Sequence, residues 1–138
     1  MAERAVLFLC NRNAIRSPMA AVLLNHLGGA QAESAGVTPG EPDPLSQAAL
    51  AEIGLAIPEA PRPVESLKLG RFDLIVALSP QAQHRALELT RNLPTPVEFW
   101  HLADPSLVDG SREQRLAAYR MVRDDLANRL KERFPTST

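Results

Sequence analysis

The sequence predicts a single α/β domain spanning residues 1–138, a three-layer sandwich in which a four-stranded parallel sheet lies between helices on both faces. Three observations carry this reading. A chain of 138 residues buries one sizeable core and is too short for two ordinary domains. The continuous apolar runs from Ala5 to Leu9 and from Phe72 to Leu78 suit strands covered on both faces, as in a parallel sheet. Each run is followed by a hydroxyl residue and a proline, Ser17-Pro18 and Ser79-Pro80, the pair that opens a helix.

Taken in order, Ala5 to Leu9 is the first central strand. Past a polar loop, Ser17 is the expected N-cap, Pro18 the first helical position, and Met19 to Leu27 a helix stopped by Gly28-Gly29. Gln31 to Ala35 reads as a short second strand, and the glycines and prolines of Gly36 to Asp43 as a surface loop. Pro44 starts a second helix, with Leu45, Ala48, Ala49 and Ile53 at helical spacing and Gly54 as its C-terminal cap. Pro58 to Gly70 has three prolines and no clean period, which predicts an irregular crossover. Phe72 to Leu78 is the third strand, and the helix opened by Ser79-Pro80 runs to about Arg91. Pro96 to Trp100 is the fourth strand and His101 to Asp109 a loop. The capping box Ser111-Arg-Glu-Gln114 opens the longest helix, with Leu116, Tyr119, Val122, Leu126 and Leu130 on one stripe. Strands alternating with helices imply right-handed crossovers.

Fifteen Lys and Arg against sixteen Asp and Glu, a net charge of -1, leave no basic footprint for nucleic acid or an anionic membrane. The apolar run behind Met1-Ala2-Glu3-Arg4 is too short for a signal sequence, and no stretch reaches transmembrane length. One cysteine permits neither an intramolecular disulfide nor a multi-cysteine metal site, so the expected compartment is the reducing cytoplasm and no metal or other cofactor is expected. His26, His84 and His101 lack metal-ligand spacing, and Asp109, Asp124 and Asp125 read as solvated surface.

Ligands of such sheets bind beyond the carboxyl ends of the strands. The loop there is Cys10-Asn-Arg-Asn-Ala-Ile-Arg16-Ser17, with the only thiol at a strand end and a guanidinium and a hydroxyl just before a helix. Its backbone N–H groups and the helix dipole make a nest for a tetrahedral oxyanion, phosphate or arsenate. The same field favours a nucleophilic thiolate at Cys10, and Arg16 can grip two oxygens of the anion. Ser17 can donate to the thiolate, and Asn13 can adopt a left-handed conformation that most residues avoid. A lone cysteine on an apolar strand is ordinarily an inert core residue. The conjunction of strand, loop, Asn13, Arg16-Ser17 and helix start points to an oxyanion site.

These features, with Val6-Leu-Phe-Leu-Cys10, Arg16-Ser-Pro-Met-Ala20, Ser34-Ala-Gly36, Phe72-Asp-Leu-Ile-Val76, Trp100 and Asp104-Pro105, span nearly the whole chain. The chain resembles the low-molecular-weight protein tyrosine phosphatase superfamily, which includes the thiol-coupled arsenate reductases. The resemblance implies strand order 2-1-3-4 and an oxyanion-binding loop after strand 1. It implies a phosphocysteine intermediate at Cys10, phosphoryl binding by Arg16 with Asn11, Arg12, Asn13, Ala14, Ile15 and Ser17, and support of the loop by Ser34. It makes Asp104 the acid that protonates the leaving oxygen and then the base that activates water, a proton donor that expulsion of an alkoxide also requires.

The chain departs from the family pattern at Arg12, where glycine is usual, and at Ile15, where a second cysteine is frequent. Ile15 removes the reversible disulfide, so oxidised Cys10 would need an external thiol, and Arg12 can reach toward an acidic substrate. The loop from Val37 to Asp43 and Ser106-Leu107 lack the aromatic residues that wall a phosphotyrosine slot, a reductase-like trait. The cysteines of an internal reductase relay are also missing, and Pro18 stands where reductases usually carry glutamine. The sequence alone therefore ranks first a phosphomonoester hydrolase acting on a phosphorylated protein or a small phosphomonoester. Second is an arsenate reductase using an external thiol such as glutathione, and third a non-catalytic oxyanion-binding module.

Overall fold

Alternation along two strands sets the layers. In β1 (Ala5–Cys10), Val6, Phe8 and Cys10 face one core while Leu7 and Leu9 face another; in β3 (Leu74–Ala77), Leu74 and Val76 divide from Ile75 and Ala77 in the same way. In this computed structural model, which describes residues 4–136, the first core lies under α1 (Arg16–Leu27), α2 (Pro44–Ala51) and α4 (Arg112–Arg133). The second lies under α3 (Pro80–Leu89) and the crossover, where Val64, Leu69 and Phe72 are buried. Met1, Ala2 and Glu3 of the N-terminal stretch, with Ser137 and Thr138, lie outside the described residues.

With β2 (Gln31–Gly36) and β4 (Val97–Phe99), the strands form one parallel sheet of order β2-β1-β3-β4, as the resemblance implies. The chain leaves β1 toward β2 on one side and returns to place β3 on the other, so the topological switch lies at the carboxyl ends of β1 and β3. Cys10 ends β1 there. The bond from Leu78 N–H to the Leu9 carbonyl, 2.9 Å, continues the pairing to that edge.

The expected elements form, with displaced ends. α1 begins at Arg16, one residue before the expected cap; the Ser17 hydroxyl is engaged in the loop instead, and the N-cap residue is Ile15, whose apolar side chain has no acceptor to cap with. α2 ends at Ala51, so Ile53 falls in the following turn and is exposed rather than core-facing. The crossover is irregular apart from single 3-10 turns at Val64–Ser66 and Leu69–Arg71. The capping box of α4 forms in both directions, and its whole apolar stripe is buried. Among the described residues no helix is long and apolar enough to cross a membrane.

α4 also fixes the start of α2. The Tyr119 hydroxyl donates to Asp43 Oδ2 at 2.9 Å, while Asp43 Oδ1 caps α2 by accepting from the Leu45 and Ser46 N–H groups. Burial, then the hydrogen bond to Asp43, raises the Tyr119 pKa and keeps the phenol a donor. At the other end of α2, hydrogen bonds from Arg120 and then Arg123 pull Glu52 down to about 2. Tyr119→Phe removes a bond to a charged group and is expected to lower the unfolding free energy by about 1.5–3 kcal/mol. Urea denaturation checks it, and an unchanged midpoint would show that packing and the bonds of Arg120 and Arg123 to Glu52 hold α4 against α2 without this one.

Candidate active site

Cys10 leads into a loop whose carbonyls turn outward. The Val37, Thr38 and Gly40 N–H groups donate to the carbonyls of Cys10, Asn11 and Arg12 at 3.0, 2.8 and 3.0 Å. The Ala14 carbonyl turns to the Ser46 hydroxyl at 3.0 Å, which has the Asp43 carbonyl as a second acceptor at 2.8 Å. In a trans peptide the C=O and the next N–H point in opposite directions. With no cis bond among the described residues, the N–H groups of Asn11, Arg12, Asn13 and Ile15 therefore turn to the other side of the loop and form a concave set of donors. Gly36 permits the close passage of the strand beneath, since a Cβ there would lie 2.9 Å from the Arg12 carbonyl carbon and the Asn13 nitrogen.

Asn13 has φ of 56°, the only positive value at a non-glycine among the described residues. Its side chain is fully engaged at this bend. Nδ2 donates to Ser17 Oγ at 2.8 Å and Ser34 Oγ at 2.9 Å, while Oδ1 accepts from the Arg62 N–H at 3.0 Å. Arg62 is held in turn by the Ser34 carbonyl and by Glu33, whose carboxyl lies below its ordinary range chiefly because Arg71 donates to it.

The Ser17 oxygen lies 3.0 Å from Cys10 Sγ and 3.3 Å from the Ala35 carbonyl. It accepts from Asn13, so its own proton can go to sulfur or to that carbonyl. Cys10 is buried in this setting, at the inner end of a cleft of about 300 Å³. Arg16, also buried, donates from Nη1 to the Leu102 carbonyl at 3.1 Å, which anchors the guanidinium and leaves further donors for the cleft that it lines.

Asp104 lines the same cleft and caps the 3-10 turn Pro105–Leu107. Both bonds from Ser106, N–H at 2.9 Å and Oγ at 2.6 Å, fall on Asp104 Oδ1, leaving Oδ2 outside the turn. Asn11, Arg12, Ala14 and Ile15 line the cleft as well, so the structure gathers every sequence-selected site residue around it except Asn13, Ser17 and Ser34, which stand behind the loop. The Arg12 chain runs beside Gly40, where a Cβ would come within 3.2 Å of its Cδ.

Sequence reasoning missed the acidic wall of Glu41 and Asp43. Asp43-Pro44 repeats the pattern of Asp104-Pro105, an aspartate capping a proline-started turn, and that was the available signal. Arg62 reaches Asn13 through its backbone, and no sequence signal marks such a contact. None of the described residues lining the cleft is aromatic, and among the described residues no cluster of three His, Cys, Asp or Glu could hold a metal.

Residues 5–136 match the sequence model of the low molecular weight phosphotyrosine protein phosphatase family. The chain is 30% identical over 135 residues to an arsenate reductase of Bacillus subtilis, covering 96% of each protein. Among solved structures, an arsenate reductase from Archaeoglobus fulgidus is 34% identical with a TM-score of 0.73, over 92% of this chain and 96% of that one. The YwlE arginine phosphatase from Geobacillus stearothermophilus has a TM-score of 0.75 over 94% of this chain and 89% of its own, at 24% identity, a likeness of fold.

Proposed function

The chain belongs to the low molecular weight phosphotyrosine protein phosphatase family, and from that premise we propose that Cys10 attacks arsenate and that an external thiol completes its reduction to arsenite. The observation that carries this reading is the cleft itself, which surrounds the nucleophile with charge and backbone donors and offers no aromatic wall to an aryl ester. The arsenate reductases among the relatives, at 30% and 34% identity, support the same ranking and reverse the order reached from sequence alone.

Arg16 and the N–H groups of the loop bind the tetrahedral anion, and Ser17 steadies the thiolate. Asn13 and Ser34 brace the loop. The Cys10 thiolate displaces one oxygen of arsenate as water, with Asp104 supplying a proton, and forms a sulfur–arsenic bond. A thiol of the glutathione or thioredoxin class attacks the sulfur of that adduct. The electron pair passes to arsenic, arsenite leaves, and a mixed disulfide remains on Cys10. A second thiol releases Cys10 as the disulfide of the reductant forms. With one cysteine in the chain, both thiols come from outside, which suits a reducing cytoplasm.

Hydrolysis of a phosphomonoester through a cysteinyl phosphate is the second reading. It is favoured by the single cysteine and by an aspartate that leaves one oxygen clear of its turn. A purely anion-binding module has no use for a thiol and an acid in one cleft. A paired assay separates the readings: arsenite formed from arsenate with glutathione or a thioredoxin system, and phosphate released from an activated aryl phosphate, each with chelator present. Thiol-dependent arsenite formation that outpaces phosphate release is the expected result. Phosphate release without arsenite would install the second reading.

A further inference from the structure

Asn11 makes a side-chain contact that the mechanism above does not use. Its Oδ1 accepts from Ser79 Oγ at 2.6 Å, and Ser79 is itself buried at the start of α3, where its oxygen accepts from the Ala82 N–H at 3.1 Å. Ser79 Oγ accepts from the Ala82 N–H and gives its one proton to Asn11 Oδ1, so the carboxamide turns its oxygen to Ser79. The NH2 group is then on the opposite side of the amide. No described residue accepts from Asn11 Nδ2, and no buried side-chain nitrogen or oxygen lacks a partner, so Nδ2 is not enclosed in protein. The opening beside Asn11 is the cleft it lines together with Cys10, Arg12 and Arg16.

We propose that the Asn11 carboxamide is a side-chain donor to the bound tetrahedral anion and that Ser79 is the positioning residue that turns its NH2 group toward it. This rests on the oxyanion reading of the cleft and adds a ligand to the backbone nest. The arrangement links two elements at the switch point of the sheet. The Asn11 carbonyl is fixed by the Thr38 N–H at 2.8 Å, so the side chain hangs from a clamped backbone and Ser79 sets its remaining rotation. The N-cap hydroxyl of α3 thereby reports to the anion site.

The test is the affinity of the reduced protein for inorganic phosphate, by calorimetry, in a double-mutant cycle. Asn11→Ala is expected to weaken phosphate about tenfold, the size of one hydrogen bond to a charged acceptor. Ser79→Ala should weaken it about three- to tenfold in the wild-type background and leave it unchanged in the Asn11→Ala background, with Ser79→Thr restoring it. A role confined to capping α3 would lower thermal stability in both backgrounds without that coupling. Equal affinity of Asn11→Ala and wild type, or additive losses, would overturn the proposal. If Ser79→Ala does not fold, Asn11→Asp decides: it keeps the acceptor for Ser79 but replaces the donor with a carboxylate oxygen, and must bind phosphate more weakly than Asn11→Ala. Failure of the wild type to bind phosphate or arsenate would instead bring down the oxyanion reading itself.

Discussion

Cys10→Ser is expected to abolish arsenite formation and phosphate release, each by at least about a thousandfold, while binding of inorganic phosphate stays within about twofold. Oxygen for sulfur is a small change of volume at a buried position 3.0 Å from Ser17 Oγ, and a hydroxyl can keep that contact. The anion donors are elsewhere, in the Arg16 guanidinium and in N–H groups oriented by the bonds of Val37, Thr38 and Gly40. What the substitution removes is the nucleophile, because a serine hydroxyl lacks an adjacent base here and is a far weaker nucleophile than a thiolate. Turnover by the variant comparable to wild type would eliminate every reading that routes the reaction through sulfur. Loss of phosphate binding with turnover would mean instead that the loop had collapsed.

Asp104→Asn is expected to cost about a hundredfold to ten-thousandfold on substrates whose leaving group must be protonated, and far less on an activated aryl phosphate. The geometry makes the experiment clean. Ser106 donates both of its bonds to Oδ1, and an asparagine carbonyl can accept both, so the turn survives while the proton-carrying oxygen is replaced by an amide nitrogen. Arsenate belongs with the demanding group, since it loses an oxygen as water. Steady-state rates on an alkyl phosphate, an activated aryl phosphate and arsenate give the comparison. An equal loss on all three would make Asp104 a structural cap and send the search for the acid to Glu41, which lines the same cleft.

Much of this molecule was legible in one dimension because its signals are local. A continuous apolar run with period-two burial on both sides, as in Val6 to Leu9, has no stable alternative to a covered strand. Ser79 and Ser111 cap their helices as their neighbours Pro80 and Gln114 suggest. The same rule misread Ser17, whose hydroxyl had a stronger claim on it from Cys10 and Asn13 than from the end of α1. Ile53 kept helical spacing but lay beyond the last turn, where spacing carries no information.

By itself the sequence determined the α/β sandwich, the position of Cys10 at a strand end and the types of residue that close the loop, since each follows from periodicity, capping chemistry or side-chain identity. Tertiary structure alone decided which groups meet: Asp43 with Tyr119 across 76 positions, Arg62 with Asn13 across 49, Ser79 with Asn11 across 68. It also decided that the cleft has an acidic wall. Those contacts depend on how helices seat on the two faces of the sheet, a balance of burial and hydrogen-bond satisfaction among residues far apart in the chain, and no local pattern encodes it.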